Sequence, residues 1–241
     1  MTVLLAERRD SVLTMILNRP DKHNALSVPL VDALLAEFES AHDEPTDLVV
    51  LRGDGPSFSA GFDLSGLDTL TDGDLLHRFV RIEQLLQTVH HAPFATLALA
   101  HGRVFGAGAD LVCACTHRVA APGTRFRLPG MAFGLVLGTG RLARRIGADA
   151  ARTVQAGGRT LNSDEALRLG LLTAVHDRDG WAGVVEDAAH VETGLSAPAR
   201  AVLHGALADD HRDVDLAALV RSAAVPGLAD RIRSYVRRGT R

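Results

Sequence analysis

The sequence predicts an α/β fold with a helical C-terminal subdomain, on three observations. Short apolar, β-branched runs alternate with amphipathic segments through the first half of the chain. The strand signal fades beyond Gly138. From about Trp181 onward the chain is rich in Ala and Arg with helical periodicity. The division expected is a core over residues 1–180 and a helical subdomain over 181–241. No Pro/Ser-rich linker, low-complexity tract or fixed-period repeat separates them, so they are expected to share one core.

The elements follow in order. SVLTMILNR (Ser11 to Arg19) reads as a strand that stops at Pro20. VPLVDALLAEFESAHD places Leu30, Val31, Leu34, Leu35 and Phe38 on one helical face, with Ser27 as N-cap. DLVVLRG (Asp47 to Gly53) reads as a short buried strand closed by a Gly-Asp-Gly-Pro turn. A helix over Asp74 to His90, a strand over Phe94 to Ala100, a Gly-rich turn and a helix through Leu111 to Cys115 come next. Beyond Gly138 only LLTAV (Leu171 to Val175) looks extended.

Composition narrows the function classes. With 46% hydrophobic and 23% charged residues in 241, disorder is not expected. The net charge of −3 argues against nucleic-acid or membrane binding through the bulk field. Two local basic clusters, Arg141/Arg144/Arg145 and Arg231/Arg233/Arg237/Arg238, read as solvated helix faces, with contact to a polyanionic ligand or neighbouring chain as the alternative. Cys113 and Cys115 lie in an apolar run and read as small core residues, outside any zinc or redox spacing. The histidines show no metal spacing, so no metal is expected. Charges interrupt every apolar run before the roughly 18 residues of a membrane helix, and no secretory leader is visible, so a cytoplasmic protein is expected.

Two turns carry the chemistry. SFSAGFDL (Ser57 to Leu64) follows one strand; FGAGAD (Phe105 to Asp110) follows another and opens a helix. Glycines here let another group approach the main chain closely. Free N–H groups at a helix start favour an anion or a carbonyl oxygen gaining negative charge, and paired amides stabilise an enolate. Plain tight turns are the alternative for each. GAGAD as a dinucleotide loop, and hence a nicotinamide enzyme, is weakly supported because the third glycine of GxGxxG is missing.

NRPDKHNAL (Asn18 to Leu26), FSAGFDL, HGRVFGAGADLVCACTHRVAA (His101 to Ala121), FRLPGMAFGL (Phe126 to Leu135) and LNSDEALRLGLLTAV (Leu161 to Val175) together resemble the crotonase superfamily of enoyl-CoA hydratases and isomerases in content, order and spacing. The resemblance implies a spiral of ββα units whose C-terminal helices pack at the interface of a homotrimer or a hexameric dimer of trimers. It implies an acyl-CoA thioester as substrate, with coenzyme A part of that substrate and no separate cofactor. By the same resemblance, the backbone N–H groups of Phe62 and Ala107 form an oxyanion hole. Lys22, Asn24, Ala25, Leu26, Ala60, Asp63 and Leu64 match the region that cradles CoA, with Lys22 contacting phosphate and backbone groups reading the adenine. Lys22 as an exposed turn residue is the alternative.

The chain departs from that pattern where the acids belong. Hydration of a 2-enoyl thioester needs an activated water and a proton for the α-carbon, which the family's hydratases supply with two glutamates. The first position is Asp110, whose carboxylate lies roughly 1 Å farther back than that of Glu. The second is Gly130, and neither Leu137 nor Gly138, where isomerases place a later acid, is acidic. The chain is also shorter than the family pattern between Gly140 and Arg141. Asp110 is therefore the sole candidate acid/base, although an acid in a first helical turn is favoured by the dipole without any catalytic role. His101 reads as a packed strand-end residue, and for Arg127, beside the expected acyl pocket, pairing with Asp110 or with an acidic acyl group is only a secondary alternative. The reading is an isomerase or weak hydratase of fatty acid metabolism, with a non-catalytic acyl-CoA-binding protein of the same fold as the alternative.

Overall fold

A computed structural model describes residues 2–239. Strands β1 (Leu4–Arg9) and β2 (Val12–Leu17) form an antiparallel hairpin. Helix α1 (Val28–Asp43) follows, its N-terminus capped by the Ser27 hydroxyl, which accepts from Leu30 N at 3.4 Å. Then come β3 (Leu48–Gly53), α2 (Asp72–His90) and β4 (Ala95–Ala100). Thr71 and Asp74 cap α2 reciprocally.

Strand β5 (Arg103–Phe105) leads into α3 (Ala107–Ala114), β6 (His117–Ala120) and β7 (Arg125–Arg127). Helices α4 (Thr139–Ile146) and α5 (Ala148–Ala156) precede β8 (Thr160–Asn162), α6 (Ser163–Arg168) and β9 (Ala174–Val175). Four helices finish the chain: α7 (Trp181–Thr193), α8 (Ala197–Leu207), α9 (Arg212–Ala223) and α10 (Leu228–Gly239).

The main sheet runs β1-β2-β3-β4-β6-β9 and is parallel from β2 onward; β5, β7 and β8 make a second, smaller sheet. Strand alternation divides the apolar side chains between two faces. Val49, Leu51, Ala98 and Ala100 join the large core with α1, α2 and α3. Leu48, Val50, Ala95, Leu97 and Leu99 face the other way and are covered by α7 through Trp181 and Ala188. Each large apolar side chain so buried contributes about 1.5–3 kcal/mol. Arg200 of α8 pairs with Asp47 just ahead of β3, a second tie between the C-terminal helices and the sheet.

Several sequence expectations are corrected. The extended stretch Leu171–Val175 shrinks to Ala174–Val175, because Leu171 and Leu172 turn into the core after Gly170. It is not alone beyond Gly138, since β8 pairs antiparallel with β7. The helix expected from Leu111 begins at Ala107, so GAGAD is its first turn. The Arg141/Arg144/Arg145 cluster is only partly a solvated face: Arg144 is exposed, but Arg141 is 2% exposed and ion-paired to Glu83 at 2.8 Å.

Candidate functional site

The two Gly-rich turns lie against each other. Ser59 O accepts from Phe105 N at 3.0 Å, and Ser59 forms a parallel bridge to Val104. Gly61 has φ +87°, and a β-carbon there would overlap Phe105 O and lie 3.1 Å from Ala107 N. Only glycine lets the SAGFD turn come this close to the start of α3. The amide of Ala107, at the first position of α3, and that of Phe62 donate to no acceptor among the described residues. Both residues line one cavity.

The segments matched to CoA are zipped together by main-chain bonds. Ala60 N donates to His23 O at 2.8 Å, Leu26 N to Gly61 O at 2.7 Å and Asp63 N to Leu26 O at 3.4 Å. The Asn24 side chain is occupied internally: its amide donates to Asp54 O and Ser57 O, both at 2.8 Å, and its oxygen accepts from Arg19 N at 2.8 Å. Arg19 also donates to Ala25 O at 2.6 Å and pairs with Asp63 at 2.8 Å. Burial opposes ionisation of Asp63, but bonds from Ser65 and Arg19 outweigh it and hold its carboxyl below the usual range. Asn24 and Asp63 therefore shape this edge from within. Lys22 and Leu64 are exposed at it, and Leu64 also lines the cavity.

The cavity, about 220 Å³, is bounded by Phe62, Phe79, Ala107, Asp110, Gly130, Leu137, Ile232 and Tyr235 among others. Phe62 stacks on Phe79 of α2 with ring centroids 4.4 Å apart. Helix α10 of the same chain closes one side; its start is held by Asp72, which accepts from Gly227 N and Ala229 N at 2.7 and 2.8 Å.

Asp110 lies in the first turns of α3, 4% exposed, with Oδ1 buried and without a hydrogen-bond partner among the described residues. Burial pushes its carboxyl well above the usual carboxylate range; Arg141 opposes that push and Glu83 adds to it. The pairing of Arg127 with Asp110 anticipated from sequence is not formed, although both line the cavity. Gly130 is also at the wall, but it is not open space: a β-carbon there would lie 2.8 Å from Leu135 O. Leu135 N donates back to Gly130 O at 2.9 Å, which fixes that tight loop. His101 is 3% exposed, bonded through Nε2 to Gly55 O at 2.9 Å and close to the Trp181 ring, away from the cavity.

Sequence reasoning missed the Glu83–Arg141 pair behind Asp110. A signal was there: Glu83 falls in the apolar stripe of α2 with Phe79, Ile82 and Leu86, where an acid needs a buried partner. Gln155, Ile232 and Tyr235 at the cavity wall were also unforeseen. Among the described residues, no cluster of three or more His, Cys, Asp and Glu side chains could hold a metal ion. No described helix is long and apolar enough to cross a membrane.

Comparison with known proteins gives a consistent result. A zebrafish enoyl-CoA hydratase domain-containing protein 3, mitochondrial, is 31% identical over 182 residues, 74% of this chain and 63% of the zebrafish protein's length. The enoyl-CoA hydratase homologue echA6 of Mycobacterium leprae is 32% identical over 186 residues, 73% of either chain. A crystal structure of an enoyl-CoA hydratase/isomerase homologue from Bordetella parapertussis superposes with a TM-score of 0.96 at 48% identity, covering 98% of this chain and 99% of the other. The Enoyl-CoA hydratase/isomerase family profile matches residues 7–219. The chain therefore belongs to the enoyl-CoA hydratase/isomerase family of the crotonase superfamily.

Proposed function

We propose that this protein is an acyl-CoA isomerase or weak hydratase in which Asp110 alone moves the proton. The observation that carries the reading is one wall bearing two unpaired amides, at Phe62 and Ala107, and an unpaired buried carboxyl, at Asp110. The amides would hold the thioester oxygen as it gains negative charge, a contribution of about 2.7–4 kcal/mol per donor in related acyl chemistry. Asp110 would take a proton from the γ-carbon of an enoyl thioester, leaving a dienolate charge on that oxygen. Returning that proton to the α-carbon gives isomerisation, and where the Asp110 proton is first replaced from solvent, its return to either carbon gives exchange; neither outcome adds water. Burial suits Asp110 to this role, because a carboxyl that ionises only at higher pH is a stronger base once ionised.

Efficient hydration is disfavoured by Gly130. The position lacks an acid, and any side chain there would start with its β-carbon 2.8 Å from Leu135 O, so the loop would have to shift to admit one. The same observation favours a second reading, a protein that binds acyl-CoA without turning it over. Further parts of the proposal are a CoA cradle at Lys22, Asn24, Ala25, Leu26, Ala60, Asp63 and Leu64, no separate cofactor, and a cytoplasmic homotrimer or hexamer. Val191, Val202 and Leu207 on α7 and α8, 66–75% exposed, offer apolar surface for such assembly.

The test is incubation with short 2-enoyl- and 3-enoyl-CoA, followed by mass and chromatographic analysis of the thioesters. Interconversion of the two without a gain of one water supports the isomerase. Rapid formation of the 3-hydroxyacyl thioester refutes it, and binding without any product selects the second reading.

A further inference from the structure

The charged side chains at the cavity wall are Asp110 and Arg127, and only Arg127 has no account in the proposed proton transfer. Its Nε is buried without a hydrogen-bond partner, and its guanidinium makes no ion pair or hydrogen bond to any described residue. It does not pair with Asp110, the one acid it shares the cavity with, and burial keeps that acid protonated to higher pH than an ordinary aspartate. Arg127 is partly buried, with only Nε fully enclosed, so the cation lines an otherwise largely apolar chamber with no protein anion paired to it and its outer nitrogens left for water or an incoming anion.

The backbone fixes where that anion would sit. Strands β5 and β7 place Arg127 opposite Phe105, and Arg127 O accepts from Gly106 N at 2.7 Å. The next amide along is Ala107, the proposed donor to the thioester oxygen. Arg127 therefore starts from the strand position next to the proposed thioester donor, and its side chain lines the same cavity as Phe62 and Ala107. The chamber of about 220 Å³ is roughly half as large again as the ~150 Å³ cavity that takes up benzene, which fits a short chain. A guanidinium fork matches a carboxylate with two parallel hydrogen bonds.

We propose that the acyl group carries its own carboxylate, a short ω-carboxyacyl-CoA, and that Arg127 is the residue that selects it. This rests on the acyl-CoA reading above. The experiment is calorimetric titration of the wild type, Arg127→Met and Arg127→Lys with glutaryl-CoA, pentanoyl-CoA and free CoA. The first two match in carbon number and differ in the terminal carboxylate.

The wild type is expected to bind glutaryl-CoA at least about tenfold more tightly than pentanoyl-CoA, as a charge-assisted pair implies. Arg127→Met should erase that preference and leave pentanoyl-CoA unchanged, while Arg127→Lys keeps part of it. Equal binding of the two thioesters by the wild type overturns the proposal. So does an Arg127→Met variant that loses affinity for free CoA as much as for glutaryl-CoA, because Arg127 would then hold a CoA phosphate. Should Arg127→Met fail to fold, the wild-type ratio and the Arg127→Lys variant still decide. Wild-type protein that binds neither thioester nor CoA defeats the acyl-CoA reading itself, a result distinct from equal binding.

Discussion

Gly138 lies directly against the Asp110 carboxyl: a β-carbon added at Gly138 would overlap Oδ1 and lie 2.7 Å from Cγ. With φ +63°, the Gly138 backbone is also in the left-handed region. Gly138→Ala should therefore displace Asp110 as well as strain the chain. The backbone effect alone costs about 1 kcal/mol, a fall in Tm of roughly 2–4 °C. Proton-exchange turnover should fall at least tenfold while acyl-CoA binding persists, which kinetics and titration on the same preparation would check. Unchanged turnover would show that the Asp110 position does not matter.

The raised proton affinity of Asp110 makes stability depend on pH in a definite direction. Its folded pKa lies well above that of an ordinary aspartate, so between the two values the folded chain holds a proton that the unfolded chain has released. That stabilisation is complete below about pH 4 and is lost as pH rises toward the folded pKa. Asp110→Asn keeps the shape without the titration and should flatten this loss in urea melts run from pH 5 to 8. His90 acts oppositely: burial, with the Arg141 charge, lowers it to about 4, so its contribution is lost as pH falls from 6.5. Comparing wild type and Asp110→Asn at each pH cancels the His90 effect.

Gly130 yields a negative prediction. Glu placed there should not confer hydratase activity, because its β-carbon would meet Leu135 O at 2.8 Å. Overpacking of this kind costs about 1–3 kcal/mol. Thermal unfolding should show the loss, and hydration assays should stay at the wild-type level. A Gly130→Glu variant that hydrates crotonyl-CoA efficiently would mean the loop yields easily.

The buried pair behind the site should behave as a unit. Arg141 and Glu83 are 2% and 0% exposed at the side chain, with Gln87 also bonded to Glu83 at 3.1 Å and Asp215 3.7 Å from Arg141. Arg141→Met leaves an uncompensated buried carboxylate and should destabilise by about 3–5 kcal/mol. Adding Glu83→Leu should recover most of that in a double-mutant cycle measured by urea denaturation. Additive losses would show that the pair is not coupled.

The legible parts of the chain were those with strong periodicity. Helix α1 with its Ser27 end, helix α2 from Asp74 onward, and strands β3 and β4 follow from apolar spacing over whole elements, whereas the Thr71 cap and the first two residues of α2 were not foreseen. Strands β5, β7 and β8 are three residues each, too short to show a period, and are held by pairing with one another. At the site, the glycines announced a close approach of two turns, and Gly61 makes one. The Arg141 partner lies 58 positions away, so a local charge run could not reveal that the guanidinium is buried. Nor could the sequence show that Leu135 O lies close to where a β-carbon at Gly130 would stand, since this depends on the path of the loop.

The most direct measurement of the central claim is deuterium uptake from heavy water into a bound short enoyl-CoA, wild type against Asp110→Asn, read by mass spectrometry. Side-chain proton transfer typically contributes about 10²–10⁴-fold. The account predicts exchange without water addition in the wild type and at least a hundredfold slower exchange in Asp110→Asn, with acyl-CoA affinity within about threefold. Exchange at the same rate in Asp110→Asn would contradict it, since another group would then be moving the proton.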